Sequence, residues 1–204
     1  LDNLHFAYPR AAPVLRGATL ALEPGERIAL RGPNGAGKTT LLHLAVGLRT
    51  PQQGTIRLHG EIVATEPHFC ELRKRVGLVF QDPVDQVFCP TVIEDVAFGL
   101  LNLGVGREEA RERAGDALRK LHIEHLRDRP TPHLSGGECR LVSLAGVLVM
   151  EPEALLLDEP TCGLDEEAED IVLAVLEAVD CAMLIVSHEP RVAERLRARA
   201  VPLA

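Results

Sequence analysis

The stretch GPNGAGKTT, Gly32 to Thr40, places glycines, one lysine and two hydroxyls at a spacing that can hold a triphosphate. Gly32, Gly35 and Gly37, with Pro33, Asn34 and Ala36 between them, give a loop whose backbone N–H groups can wrap phosphate oxygens. Lys38 then reaches the β- and γ-phosphates, the Thr39 hydroxyl ligates Mg²⁺, and Thr40 opens the following helix. Context supports the match. The apolar run RIALR precedes the loop and the helically spaced TTLLHLAVGL follows it.

Two further apolar runs end in chemistry. LLLDEP sets Asp158 at a strand end, where a carboxylate can hold Mg²⁺, and Glu159 directly after it can polarise an attacking water. LIVSHEP delivers His188, whose imidazole can bond the γ-phosphate or that water. Gln81, at the end of VGLVF, offers a neutral amide that can ligate Mg²⁺ or orient water. A second anion seat lies in PHLSGGECR, where Ser135, Gly136, Gly137 and Glu138 open another helix. One small chain thus carries two places for one kind of anion. The remaining histidines show no metal-ligand spacing.

Those residues need a scaffold with buried strands ending at one edge. ALLLDEP and AMLIVSHEP are short apolar runs with polar ends, the pattern of parallel strands covered on both faces. EEAEDIVLAVLEAV reads as the helix between them, and HFAY with ATLALEPGERIALRG as strands and a hairpin near the N-terminus. REEARERAGDALRKL is an amphipathic helix. Strand–helix alternation predicts one α/β domain over residues 1–204, with a mostly parallel sheet, an antiparallel part at the N-terminus and a helical lobe over roughly 82–150.

Composition narrows the class. The 204 residues carry 22 Lys and Arg against 30 Asp and Glu, a net charge of -8, which argues against broad nucleic-acid binding. Five scattered cysteines without a CxxC pair fit a reducing compartment. The longest apolar run, Leu141 to Met150, falls far short of the roughly 20 residues that cross a bilayer. A soluble protein is expected.

Taken together, these stretches resemble the nucleotide-binding domain of ATP-binding cassette (ABC) proteins, a P-loop NTPase fold, over essentially the whole chain. GPNGAGKTT is similar to Walker A, LSGGE to the family signature, LLLDE to Walker B, and CGLD, with Asp165, to the D-loop. In that resemblance Tyr8 is the aromatic that stacks on adenine, Gln81 the Q-loop residue and His188 the switch histidine. ATP and Mg²⁺ are the implied ligands. Such domains act as head-to-tail pairs, so Ser135, Gly136 and Gly137 would seat the γ-phosphate of a partner's nucleotide. The segment VGLVFQDPVDQVFCPTVIEDVAFGLLNLGV looks like the ATPase subunits of energy-coupling factor importers of cobalt, nickel and vitamins.

The resemblance implies ATP hydrolysis coupled to transport at the cytoplasmic face of the membrane, beside a second ATPase subunit and a transmembrane subunit. The position after LSGGE is Cys139, where relatives usually carry Lys or Gln, and Cys162 in the D-loop is also unusual. Two other classes compete: a soluble ABC ATPase working on DNA or the ribosome, and a P-loop kinase for small molecules. The first lacks an inserted coiled coil or second cassette here, and the second leaves LSGGE and His188 unexplained.

Overall fold

The structure, a computed structural model, describes residues 1–203. It opens with β1 (Asp2–Ala7) and β2 (Pro13–Ala18), an antiparallel pair in which Phe6 lies opposite Leu15. Leu4 and Phe6 alternate inward, the period expected of a half-buried strand. The reversal falls at Tyr8–Ala11, where the Ala11 N–H donates to the Tyr8 carbonyl. This corrects the sequence expectation of a hairpin around Pro24-Gly25. That turn instead carries the chain into a different sheet, through β3 (Arg27–Arg31). The reason is burial: Ile28, Ala29 and Leu30 are all covered, so β3 needs protein on both faces and cannot sit in a surface hairpin.

After β3 come α1 (Lys38–Ala45), the short strands β4 (Gln53–Thr55), β5 (Arg57–Leu58) and β6 (Glu61–Ile62), then α2 (Glu66–Arg75) and β7 (Val76–Val79). Helices α3 (Val92–Asn102), α4 (Arg107–Lys120) and α5 (Gly136–Leu148) follow. The chain closes with β8 (Ala154–Asp158), α6 (Glu166–Ala178), β9 (Ala182–Val186), α7 (Pro190–Arg195) and β10 (Arg199–Pro202). The central sheet runs β10-β3-β9-β8-β7, with every neighbouring pair parallel. The antiparallel sheet is β2-β1-β4, and β5 with β6 forms a small hairpin.

Burial explains why β8 and β9 read as unbroken apolar runs. Leu155, Leu157, Met183 and Ile185 join one core, with α3, α4, α5 and α6. Leu156, Leu184 and Val186 face the opposite way, into a core with α1 and the antiparallel strands. Each fully buried leucine adds about 2 kcal/mol of transfer free energy. β8 and β9 therefore each have one apolar set per face, and the polar residues at and just after their ends are left at the carboxyl edge. That edge holds Asp158, Glu159, Ser187 and His188.

Candidate functional site

The loop between β3 and α1 is shaped by glycine where no other residue fits. Gly35 and Gly37 have φ of 80° and 96°, the left-handed region that side chains resist. A Cβ on Gly37 would also lie 2.7 Å from Val14, so α1 starts hard against β2. Lys38 is buried, and its ammonium donates to the Gly32 and Pro33 carbonyls at 2.8 and 3.0 Å. The loop that would hold a triphosphate thus already holds the charge that would meet it.

Beside this loop is a cleft of about 500 Å³ that brings together Lys38, Thr39, Gln81, Asp158, Glu159 and His188. Tyr8, Asn34, Gly35, Gly37 and Thr40 line it as well. Tyr8 just after β1, Val14 of β2, the Lys38 loop, and residues at or just beyond the ends of β7, β8 and β9 therefore converge on one space. Open α/β sheets bind ligands at this edge, beyond the carboxyl ends of their strands. The Tyr8 hydroxyl lies 3.1 Å from the Thr40 hydroxyl, Phe6 packs edge-on to its ring, and the Arg49 guanidinium sits 4.9 Å from its centroid. The ring is fixed in place.

Asp158 is almost fully buried, and neither carboxylate oxygen has a hydrogen-bond partner among the described residues. Burial pushes its carboxyl up from the usual range, offset in part by Thr39, His43 and Lys38. An orphaned, desolvated carboxylate at the mouth of a cleft, next to a threonine hydroxyl, fits a hard divalent cation. Thr39, Asp158 and Gln81 could hold Mg²⁺ there, which when bound neutralises phosphate charge. No cluster of three His, Cys, Asp or Glu side chains suited to a metal occurs among the described residues.

A sign follows for stability. With its folded value raised, the Asp158 carboxylate destabilises the ligand-free protein above that value, and the penalty fades as pH falls through it. Asp158→Asn should accordingly raise the melting temperature of ligand-free protein by a few degrees at neutral pH. It should also remove the extra stabilisation given by ATP with Mg²⁺ over ATP alone. Thermal unfolding with and without Mg²⁺ checks both; a lower melting temperature without ligand would contradict the burial argument.

Glu159 follows with φ of 50°, uncommon for a residue with a side chain. Its backbone N–H donates to the Val186 carbonyl at 2.8 Å, which holds the turn against β9. One carboxylate oxygen accepts from the His188 backbone N–H at 3.2 Å. The other has no hydrogen-bond partner among the described residues and lies 3.5 Å from His188 Nε2. A buried carboxylate with a free oxygen facing a largely exposed imidazole is an arrangement that can take a proton from water.

Ser135, Gly136, Gly137, Glu138 and Asp165 do not line this cleft. Ser135 caps α5, accepting from the Glu138 N–H, while the Glu138 carboxylate accepts from the Ser135 N–H at 2.8 Å and pairs with Arg129. Glu138 is therefore tied up in shaping the helix end. These bonds hold its carboxyl below the usual range, the Ser135 N–H first. A Cβ on Gly136 would meet nothing within 4 Å, so that face is open. Asp165 caps α6, accepting from the Ala168 N–H. Cys139 points inward and is buried.

Sequence reading passed over Arg140, a buried arginine that donates to the Phe80 and Gln81 carbonyls. Its signal was faint: one charge inside the apolar face of α5. It also passed over Gln86, whose amide bonds β7.

The profile of the family described as ABC transporter matches residues 15–162. The energy-coupling factor transporter ATP-binding protein EcfA of Methanothermobacter thermautotrophicus is 43% identical over 204 residues, covering 98% of this chain and 65% of that protein. The cobalt import ATP-binding protein CbiO of Rhodobacter capsulatus is 44% identical over 202 residues, 97% of this chain and 72% of its own. Among solved structures, CbiO1 from Clostridium perfringens, described as part of the ABC transporter complex cbiONQ, aligns with a TM-score of 0.82 at 34% identity, over 99% of this chain and 82% of that one. On the profile match and these alignments over nearly all of this chain, the chain belongs to the ABC transporter family, as an ATP-binding domain.

Proposed function

We propose that this chain is the ATP-hydrolysing subunit of an importer of the energy-coupling factor type, moving a metal ion such as cobalt or nickel, or a vitamin. One observation carries the reading. The cleft with Lys38, Asp158 and Glu159 is lined without the second anion seat, Ser135 to Gly137, which lies outside it with open space at Gly136. Two chains set head to tail would complete each other's sites, whether identical or sibling copies. In this proposal residues 1–204 act as one domain, its helical part over roughly 82–150 carrying the seat.

The residues then divide the work. Tyr8 stacks on adenine, and the N–H groups of Gly32 to Thr40 hold the phosphates. Lys38 meets the β- and γ-oxygens as it leaves the Gly32 and Pro33 carbonyls. Glu159 accepts a proton from the attacking water as the γ-phosphate bond to ADP breaks, and His188 holds water or phosphate in line. The partner's Ser135 to Gly137 seat closes over the γ-phosphate, so closure depends on ATP and hydrolysis releases it. Asp165 stands at the meeting face.

Transport needs a membrane subunit, and the surface offers it a place. Val84, Phe88, Phe98 and Leu101 are exposed, with Phe88 and Phe98 packed edge to face at 4.9 Å. Exposed apolar clusters of this kind mark interaction sites, and these flank the Gln81 segment. No described helix is long and apolar enough to cross a membrane. Attachment at the cytoplasmic face would therefore come through the partner. Phe88→Asp combined with Phe98→Asp should abolish co-purification with a hydrophobic membrane protein in detergent, while ATP hydrolysis by the separate chain stays within about twofold. Undiminished co-purification would remove this face from the proposal. Full activity with no membrane partner in the native complex would favour the soluble-ATPase reading.

A further inference from the structure

Glu138 puts a full negative charge beside the seat that is to receive a phosphate. Its carboxylate accepts from the Ser135 N–H at 2.8 Å, so one oxygen already rests on a residue of the seat. As the third residue of α5 it completes a capping box with Ser135. A glutamine completes such a box as well and carries no charge. The carboxylate favours the helix through its dipole, but it also uses up the positive potential that draws an anion to a helix start. Two negative groups within one helical turn repel unless a cation lies beside them.

That cation is Arg129. One guanidinium nitrogen donates to the second Glu138 oxygen at 2.7 Å. It arrives from outside α5, just after the short turn Glu124–Leu126, and its backbone is held twice. The Arg129 N–H donates to the Leu126 carbonyl at 2.8 Å, and its carbonyl accepts from the Val92 N–H at 3.2 Å. Thr91 and Pro130 bridge beside it, so the start of α3 fixes where the arginine stands. The two side chains are 41% and 28% exposed, and ion pairs this open contribute little to folding. What the pair changes is the charge at the seat: negative with Glu138 alone, balanced with Arg129 in place.

We infer that Arg129 readies the Ser135–Gly137 seat for a triphosphate by neutralising Glu138, so that a carboxylate can cap α5 without repelling the γ-phosphate of a partner's nucleotide. This rests on the divided-site reading above. Arg129 acts through Glu138 and not on the phosphate, which makes it a positioning residue. It does not line the chain's own cleft, so its effect falls on pairing and not on the first binding of ATP. Salt screens charges that are open to water, so the neutralisation matters most at low ionic strength.

The test is a double-mutant cycle on the full chain with Arg129→Met, Glu138→Gln and both together. Pairing is driven by the γ-thiophosphate analogue of ATP, which is split slowly, and is read by sedimentation at low and high salt. Nucleotide affinity is measured on dilute single chains. The parent must pair; if it does not, the divided-site reading itself fails, whatever the variants do. Given a pairing parent, Arg129→Met should bind nucleotide within about twofold and pair about tenfold more weakly at low salt, the deficit shrinking at high salt. Glu138→Gln leaves Arg129 unopposed and should pair about threefold or more tightly than the parent at low salt. The double variant should return to within about twofold of the parent. Removing a second charge does not restore a lost structural strut or a lost phosphate ligand, so a double variant as weak as Arg129→Met would overturn the inference. So would parental pairing by folded Arg129→Met. If Arg129→Met does not fold, Glu138→Gln decides: tighter pairing that high salt abolishes supports the inference, and parental or weaker pairing overturns it.

Discussion

Glu159→Gln should bind ATP within about twofold of the parent and hydrolyse it at least about a hundredfold more slowly, the usual contribution of a positioned general base. The side chains are nearly isosteric. A glutamine carbonyl can still accept from the His188 N–H, the 3.2 Å contact that holds this carboxylate. The strained turn at φ of 50° and its bond to Val186 belong to the backbone and should survive. What disappears is the ability of the free oxygen to take a proton. Equilibrium ATP binding and steady-state phosphate release separate the two effects. A variant that turned over near the parental rate would move the base role away from Glu159, with His188, 3.5 Å from its free oxygen, the next group to test.

Gly136→Asp should leave single-chain ATP affinity nearly unchanged and weaken ATP-driven pairing about a hundredfold or more, because like charges set face to face cost several kcal/mol. The substitution is unusually clean. Gly136 has ordinary helical backbone with open space where a Cβ would sit, so no strain or clash is introduced. An acid in the first turn of α5 favours the helix through its dipole. The folded chain should therefore be as stable as the parent, and the new charge acts only on an anion brought to that face. Sedimentation with ATP, in the Glu159→Gln background to prevent turnover, reads the result directly. Gly136→Ala is the control, and should pair almost normally. Parental pairing by the aspartate variant would show that no phosphate meets this seat.

Much of the site could be read along the chain because it is built from local patterns. The Gly32–Thr40 loop is specified by glycine at positive φ and by the helix that follows, both within a dozen residues. Asp158 and His188 were recognisable because each ends a run of residues that must be buried on both sides, and burial stops where the sheet edge begins. Ser135 and Glu138 form a capping box, a four-residue pattern, although the placement of the Glu138 carboxylate on Ser135 and Arg129 emerged only in three dimensions.

By itself the sequence determined the elements, their apolar faces and the chemistry at their ends, since each depends on neighbours a few positions apart. Only tertiary structure decided which strands sit side by side. It sent β3 to the middle of the parallel sheet, because a strand covered on both faces cannot remain at a surface hairpin. It also left the Asp158 carboxylate without a hydrogen-bond partner among the described residues and put Arg140 on the Gln81 carbonyl, across 59 positions of chain. Such contacts carry no period to read. They exist because close packing forces α5 against the end of β7, and a buried donor must find whatever acceptor that packing supplies.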